Sequence, residues 1–317
     1  MRVARVGRYG APESVVLVDA PVPRPGADEV LVRVAAAGVS AGDARMRAGR
    51  FPRGFGVLAR LGIGLRGPRA GVLGSTFAGV VEQAGERVTG LAPGDRVAGM
   101  TGVRAGCHAE FVTVPARSAV RTPTALDPVD AAAALFGGTT ALHFLRDRAA
   151  VHPGATVLVN GASGSVGSAA VQLATILGGT VTAVCSEANR DLVVRLGAVR
   201  WVDRTTTPVR QLSERFDVVF DAVGNLSRAD GLRLLSPDGV LVLAAADLLD
   251  TLRGGRRVFA GSAPERPEDM AYLLDLVAAG RLDPVTTVVG GLDALPEAHR
   301  IVDSGRKVGN LVVTPAG

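Results

Sequence analysis

Short apolar runs cut by glycine and proline dominate the first third of the chain. Residues 3–6, 15–18 and 29–37 alternate or run apolar, and Gly10-Ala-Pro12 and Pro21-Val-Pro-Arg-Pro25-Gly26 close them off. That pattern predicts strands joined by tight turns. Residues 77–82 and 108–114 read the same way. Pro93-Gly94-Asp95 lies between apolar runs and predicts a turn, because proline presets φ while Gly and Asp tolerate turn conformations. These spacings suit a compact β-barrel.

The pattern changes near residue 124. Asp127-Pro-Val-Asp130 opens a helix with Asp127 as N-cap and proline in the first turn. A second helix is expected over 139–149. Strict alternation follows, with strands at 156–160, 180–185, 199–203, 217–221 and 239–244 and helices at 165–178, 188–196, 208–214 and 226–235. This predicts a doubly wound parallel sheet. A strand at 257–261 and a helix at 267–279 close it, and 284–289, 294–304 and 311–314 carry the β-α-β punctuation of a return to the first domain. The fold class is therefore α/β, with one domain over 1–123 and 265–317 and another over 124–264. Residues 50–71 form a long Gly/Arg loop with a candidate short helix at 56–61; loops of this length are usually functional or mobile.

Candidate chemistry concentrates after the strand at 156–160. The run Gly161, Ala162, Ser163, Gly164, Ser165, Val166, Gly167 leads directly into a helical pattern. A strand, a tight turn and a helix start around three glycines spaced by three is the context of a dinucleotide fingerprint. Gly161 allows the turn, Gly164 lets backbone approach a pyrophosphate, and Gly167 lets helix pack on strand. Backbone N–H groups and the positive end of the helix dipole then hold phosphate. The alternative is a glycine-rich turn with no ligand.

Composition narrows the picture. The chain has 317 residues, 47% hydrophobic and 21% charged, enough for two cores. The formal charge is +5, carried almost wholly by arginine, with Lys307 the only lysine. Denser arginine patches lie at 45–69 and 253–257. Aromatic content is 4% and no aromatic-interleaved basic stripe is present, so nucleic acid is not an expected partner. No apolar run is long enough to span a membrane, and the N-terminus carries no apolar h-region, so no membrane partner is expected and a cytoplasmic protein is the default. Cys107 and Cys185 make neither a disulfide scaffold nor a thiolate metal site.

Several segments together resemble the medium-chain dehydrogenase/reductase superfamily, in particular its zinc-independent, quinone-oxidoreductase-like branch. They are Ala36-Ala-Gly-Val-Ser40-Ala-Gly-Asp43, Gly74-Ser-Thr-Phe77-Ala-Gly79 with Gly94-Asp95-Arg-Val97, and Phe136-Gly-Gly138-Thr-Thr140-Ala-Leu142. Gly161 to Gly167, Val184-Cys-Ser186, Phe216-Asp-Val-Val-Phe-Asp221-Ala-Val-Gly224 and Gly309-Asn310-Leu-Val complete the set. The resemblance implies a GroES-like β-barrel catalytic domain and a Rossmann nucleotide-binding domain.

It also implies site residues. The zinc-ligand positions of the alcohol-dehydrogenase branch hold Ser40 and Ser75, with Thr76 at the acidic position beside the second, and the four-cysteine structural lobe is absent. No metal site is therefore expected. Cys185 occupies the family position where an acid would bind both ribose hydroxyls. Spacing alone would choose Glu187, which stands two residues too late. Ser186, Asn189 and Arg190 supply donors and a cation, so the expected cofactor is NADPH; for Arg190 the alternative is a solvent-facing helix position. Ala222, Val223 and Gly224 resemble the loop beneath the nicotinamide, and Asn310 belongs to the matching tail.

The resemblance places Ser40 and Thr140 at the nicotinamide end. Ser40 stands where the family commonly has Asn, and its hydroxyl is a candidate donor to a substrate carbonyl. Asp43 matches a recurrent acid, with helix capping as the alternative. Phe51, Phe55, Leu58 and Leu61, with Phe136, are the candidate pocket wall, or else pack the barrel edge. His108 is a candidate to face substrate. Hydride addition to the β-carbon of an enone or quinone yields an enolate that needs a nearby donor and a proton source. The implied activity is hydride transfer from NADPH to a quinone or α,β-unsaturated carbonyl. A biosynthetic tailoring enoyl reductase on a polyketide-like intermediate and a non-catalytic NADPH-binding redox sensor remain as alternatives. Family members pair through the strand here at 257–261, so a homodimer is expected.

Overall fold

A computed structural model describes residues 1–51, 53–246 and 248–315. The chain divides into two compact units, one of residues 1–51, 56–136 and 265–317 and one of 52–55 and 137–264.

The first unit opens with strands β1 (Arg2–Val6), β2 (Val15–Asp19) and β3 (Glu29–Val39). Helices α1 (Ala41–Ala48) and α2 (Gly56–Ile63) precede β4 (Thr76–Ala84), β5 (Arg96–Met100), β6 (Phe111–Pro115) and β7 (Ala119–Arg121). Helix α3 (Pro128–Leu142) carries the chain into the second unit. That unit holds β8 (Thr156–Asn160), α4 (Ser165–Ile176), β9 (Thr180–Cys185), α5 (Arg190–Arg195), β10 (Arg200–Asp203), β11 (Phe216–Asp221), α6 (Arg228–Arg233), β12 (Leu235–Leu243), α7 (Leu248–Leu252) and β13 (Val258–Ala260). Helix α8 (Pro267–Ala278), β14 (Thr286–Gly290), α9 (Leu295–Asp303) and β15 (Asn310–Val313) return to the first unit.

In the first unit β3 is the hub of a seven-stranded sheet. Its early residues pair with β6, its last three with β15, and most of its length with β4, all antiparallel. Register shifts at Leu31/Val32 and Val34/Ala36 mark the bends that let one strand serve three neighbours. Val30, Val32, Val34, Phe77, Val97, Val114, Leu295 and Val313 fill the core under it, so the returning tail is part of this domain's interior. The last residues of β3 deliver Ser40 to the start of α1.

In the second unit six parallel strands run in the order β10-β9-β8-β11-β12-β13. The order reverses between β8 and β11, which is where doubly wound sheets bind ligands. Both faces are covered, so β8 and β9 are buried almost throughout.

Two helix expectations are corrected. The separate helices expected on either side of the Gly137-Gly138 pair are one helix, α3, which continues into a π-helical stretch at His143–Arg148. The pair serves contact rather than a break: a Cβ on Gly137 would stand 2.4 Å from the Ser165 carbonyl oxygen. The helix expected at 208–214 is a single 3-10 turn, Val209–Gln211, because β11 begins at Phe216.

Candidate functional site

The glycine loop leaves β8 at Asn160 and enters α4. Each glycine has its own reason. Gly161 has φ +80°, and a Cβ there would also meet Val223 Cγ2 at 2.5 Å. A Cβ on Gly167 would stand 2.0 Å from the Gly161 carbonyl oxygen, so this glycine seats the helix on the turn. Gly164 is different. Its φ is −81°, and a Cβ would meet only the Gly161 oxygen at an ordinary 3.5 Å. Nothing inside the chain requires glycine there. It is the N-cap of α4, and no side chain caps that helix end. Bare backbone at a helix N-terminus is an anion cradle, and a pyrophosphate lying against Gly164 fits the space a Cβ would fill.

Three further expected residues meet beside this loop. Asn189 Nδ2 donates to Ser163 Oγ at 2.9 Å and to Ser186 Oγ at 3.3 Å, tying the glycine loop to the end of β9. Arg190 opens α5 with its guanidinium 5.6 Å from the centroid of the Trp201 ring, a cation–π stack that holds the charge beside the sheet end. Cys185 is buried, and burial pushes its thiol above the usual range. Arg204, which sequence reasoning passed over, follows β10. Its N–H donates to the Cys185 carbonyl at 2.9 Å, setting a second exposed cation at the end of β9. The signal for it was topological, because β10 is the strand next to β9. A neighbouring groove of about 430 Å³ is lined by Glu187, Arg200 and Asp203 among others.

On the other side of β8 a buried polar knot shapes the loop 222–226. Asp221 ends β11, and its carboxylate accepts from Asn160 Nδ2 at 2.8 Å, from the N–H groups of Val223 at 3.0 Å and Gly224 at 3.2 Å, and from that of Leu226 at 3.2 Å. Asn160 Nδ2 also donates to Asn225 Oδ1 at 2.7 Å. Ala222, Val223 and Gly224 are thus fixed by a pair, Asn160 and Asp221, that the β8–β11 register places side by side. Asp221 opens the segment expected beneath the nicotinamide; Asn160 was not an expected site residue. Thr140 is half-buried on α3.

The first unit carries the second set. Ser40 is the N-cap of α1 and Asp43 its third residue, in a reciprocal capping box. Asp43 Oδ2 accepts from Ser40 N at 2.8 Å and from Ser40 Oγ at 2.6 Å, while Asp43 N donates back to Ser40 Oγ at 3.2 Å. Asp43 Oδ1 accepts from Gly74 N at 3.0 Å. The Ser40 hydroxyl, the expected donor to a substrate carbonyl, here donates to Asp43 Oδ2. Capping, the alternative reading of Asp43, is what the carboxylate does.

Behind them lie two buried histidines. His108 does not face an open site: its Nε2 bonds to the Gly38 carbonyl at 3.0 Å and its ring packs on Gly74. His299 from α9 meets it edge to face, with centroids 6.3 Å apart, and among the described residues neither ring nitrogen of His299 finds a hydrogen-bond partner. Burial holds both imidazoles below the ordinary histidine range.

Other expected residues fall elsewhere. Leu58 and Leu61, expected in a pocket wall, are exposed on α2, whose Arg60 stacks on Tyr9. Phe51 is half-buried, edge-on to Tyr9 at 6.3 Å, and Phe55 and Phe136 are half-buried. Asn310 Nδ2 donates to the Pro284 carbonyl at 2.6 Å, which ties β15 to the segment before β14. Among the described residues no group of three or more His, Cys, Asp or Glu comes together as a metal site would require.

Comparison with known proteins adds to this geometry. The family profile for the alcohol dehydrogenase GroES-like domain matches residues 26–124, and that for zinc-binding dehydrogenase matches 196–313. The quinone oxidoreductase structure from Coxiella burnetii aligns with a TM-score of 0.88 at 27% identity, covering 99% of both chains. The cobalt- and zinc-bound thermostable alcohol dehydrogenase from Pyrobaculum aerophilum aligns at 0.82 with 31% identity over 99% of both. Among curated sequences, the spectinabilin polyketide synthase system protein NorB of Streptomyces orinoci is 36% identical over 262 residues, 76% of this chain. The chain spans only 12% of that protein's length.

Proposed function

Because the chain belongs to the medium-chain dehydrogenase/reductase superfamily, in its quinone-oxidoreductase-like branch, we propose that this oxidoreductase reduces a quinone or α,β-unsaturated carbonyl with NADPH and without zinc. Gly164 carries the reading: a glycine at an uncapped helix N-terminus that no internal contact demands, answered by a ligand's phosphates.

When bound, the reduced nicotinamide supplies the hydride. The chain's own residues do the rest. The first turn of α4 holds the pyrophosphate. Asn189 presents Ser163 and Ser186 together, and Arg190 at the start of α5 and Arg204 just after β10 are the cations that would meet a 2′-phosphate there. Cys185 adds no negative charge to that spot, since burial favours its neutral thiol. Asp221 and Asn160 keep the 222–226 loop in shape for the nicotinamide end. Asp43 positions Ser40 and the Gly74 turn, Thr140 is the remaining hydroxyl assigned to the nicotinamide, and the proton that quenches the enolate comes from solvent.

The donor chemistry disfavours zinc. Ser40 is bound to Asp43, and the Nε2 of His108 is taken by Gly38. Burial pushes the Cys107 thiol up to about 12, with its sulfur 3.6 Å from Thr101 Oγ1. A neutral thiol and occupied partners are poor zinc ligands.

Nicotinamide oxidation with menadione and with a simple enone tests this. NADPH is expected to be used at lower KM than NADH. Arg190→Glu with Arg204→Glu is expected to raise the KM for NADPH at least about tenfold, the loss of roughly 1.4 kcal/mol, and to leave NADH nearly unaffected. Chelator is expected to change nothing. Equal use of both nucleotides, or loss of turnover in chelator, overturns the proposal.

A second reading rests on the identity to NorB: a tailoring enoyl reductase acting on a polyketide-like intermediate. Turnover of enoyl thioesters with none of free quinones favours it.

A further inference from the structure

An arginine-rich stretch runs from α1 through α2 and on to β4. Residues 44–81 contain seven arginines and no aspartate or glutamate. Arg47 and Arg50 are spoken for by Asp303. Arg60, Arg66 and Arg69 are exposed, and among the described residues no carboxylate pairs with them.

This stretch folds as a lobe around one aromatic peg. Tyr9 Oη donates to the Gly64 carbonyl at 2.6 Å, and Tyr9 N donates to the Arg66 carbonyl at 3.1 Å. The Arg60 guanidinium lies 5.7 Å from the Tyr9 ring centroid, and Gly49 packs directly on the ring. Arg69 N closes the loop on the Ile63 carbonyl at 2.7 Å. The inner side is therefore fixed. The outer side presents Leu58, Leu61 and Leu65, which are 60%, 56% and 65% exposed. Their spacing of three and four residues puts them along one side of α2 and the turn that follows it.

Single exposed leucines are ordinary; three together, flanked by arginines with no carboxylate partner among the described residues, mark a contact surface. Its occupant must offer negative charge and an apolar layer in one plane. Nucleic acid offers the charge alone, and Phe51, the aromatic nearest the peg, is turned onto Tyr9 rather than outward to stack on bases. The headgroup boundary of an anionic bilayer offers both, phosphates at the surface and acyl chains just beneath. Guanidinium groups bind such phosphates with paired N–H bonds.

We propose that the 56–69 lobe docks on the surface of an anionic phospholipid bilayer, with Leu58, Leu61 and Leu65 entering the acyl boundary and Arg66 and Arg69 on the headgroup phosphates. This revises the expectation of no membrane partner. It stands independently of the hydride-transfer reading.

Flotation of the full chain with phosphatidylcholine vesicles, with and without phosphatidylglycerol, tests it. The protein is expected to float only with the anionic vesicles and to be partly released by salt. Leu61→Glu with Leu65→Glu, and separately Arg66→Glu with Arg69→Glu, are each expected to cut the bound fraction at least tenfold at an unchanged melting temperature. If the glutamate pair melts early, Leu61→Gln with Leu65→Gln replaces it. No flotation with anionic vesicles overturns the proposal, as does equal flotation with neutral ones. Undiminished binding by the leucine variant also overturns it, since that is the behaviour of a polyanion site for nucleic acid or an acidic protein.

Discussion

The three glycines of the loop separate folding from binding one residue at a time. Gly167→Ala drives a methyl into the Gly161 carbonyl, so it is expected to cost about 1–3 kcal/mol of stability by overpacking. Gly164→Ala meets no such atom and is expected to cost under about 1 kcal/mol, the difference between glycine and alanine at an N-cap. Its effect belongs to the ligand: NADPH affinity is expected to fall at least about tenfold. Denaturant melts with nucleotide titrations on both variants check this, and wild-type affinity in Gly164→Ala sinks the phosphate-cradle assignment. Ser40 gives a second contrast. With its hydroxyl donating to Asp43, Ser40→Ala is expected to lose about 1 kcal/mol of stability through the missing cap while turnover stays within about threefold. A hundredfold loss of turnover with normal stability would restore Ser40 as a donor to substrate.

At the scale of elements, most of the fold was legible because its signals are local. Alternation marked β3 and β4, and the glycine loop between β8 and α4 carried strand, turn and helix within a dozen residues. The misreadings share a cause. The stretch 127–142 was read as parts of two helices, and the glycine inside the single helix α3 is set by Ser165, far along the chain, which needs the room at Gly137. The site was legible in the same measure. Ser163, Ser186 and Asn189 were found as separate donors, and the structure joins them through one amide. Asn160 and Asp221 were missed as a pair, and Arg204 altogether, because their roles come from sheet register rather than from any pattern along the chain. Ser40 and Asp43 were singled out through the resemblance, with capping as the alternative for Asp43, and a capping box is what they form.

Across the whole molecule the buried histidine pair sets an acid limit on folding. His108 and His299 are both buried, and among the described residues His299 has no partner to share a proton. The charged groups that act on the pair are Asp43, Arg47 and Asp303, and for each ring burial outweighs the carboxylates and lowers its affinity for a proton. The sign follows from linkage. Above the ordinary histidine value of about 6.5 both folded and unfolded chains hold these rings neutral, and the stability is complete. As the pH falls below it the unfolded chain takes up protons that the folded chain refuses, so stability drops by as much as about 1.4 kcal/mol per pH unit for each histidine until the folded rings charge. Denaturant midpoints measured downward from pH 8 are therefore expected to be level to about 6.5 and then to fall. His299→Phe keeps the ring in its slot without the titrating nitrogens, and it is expected to lower the slope of that fall by about half. An unchanged slope in the variant would move the acid sensitivity to the carboxylates, whose ion pairs lie mostly on the exposed surface, where they contribute little.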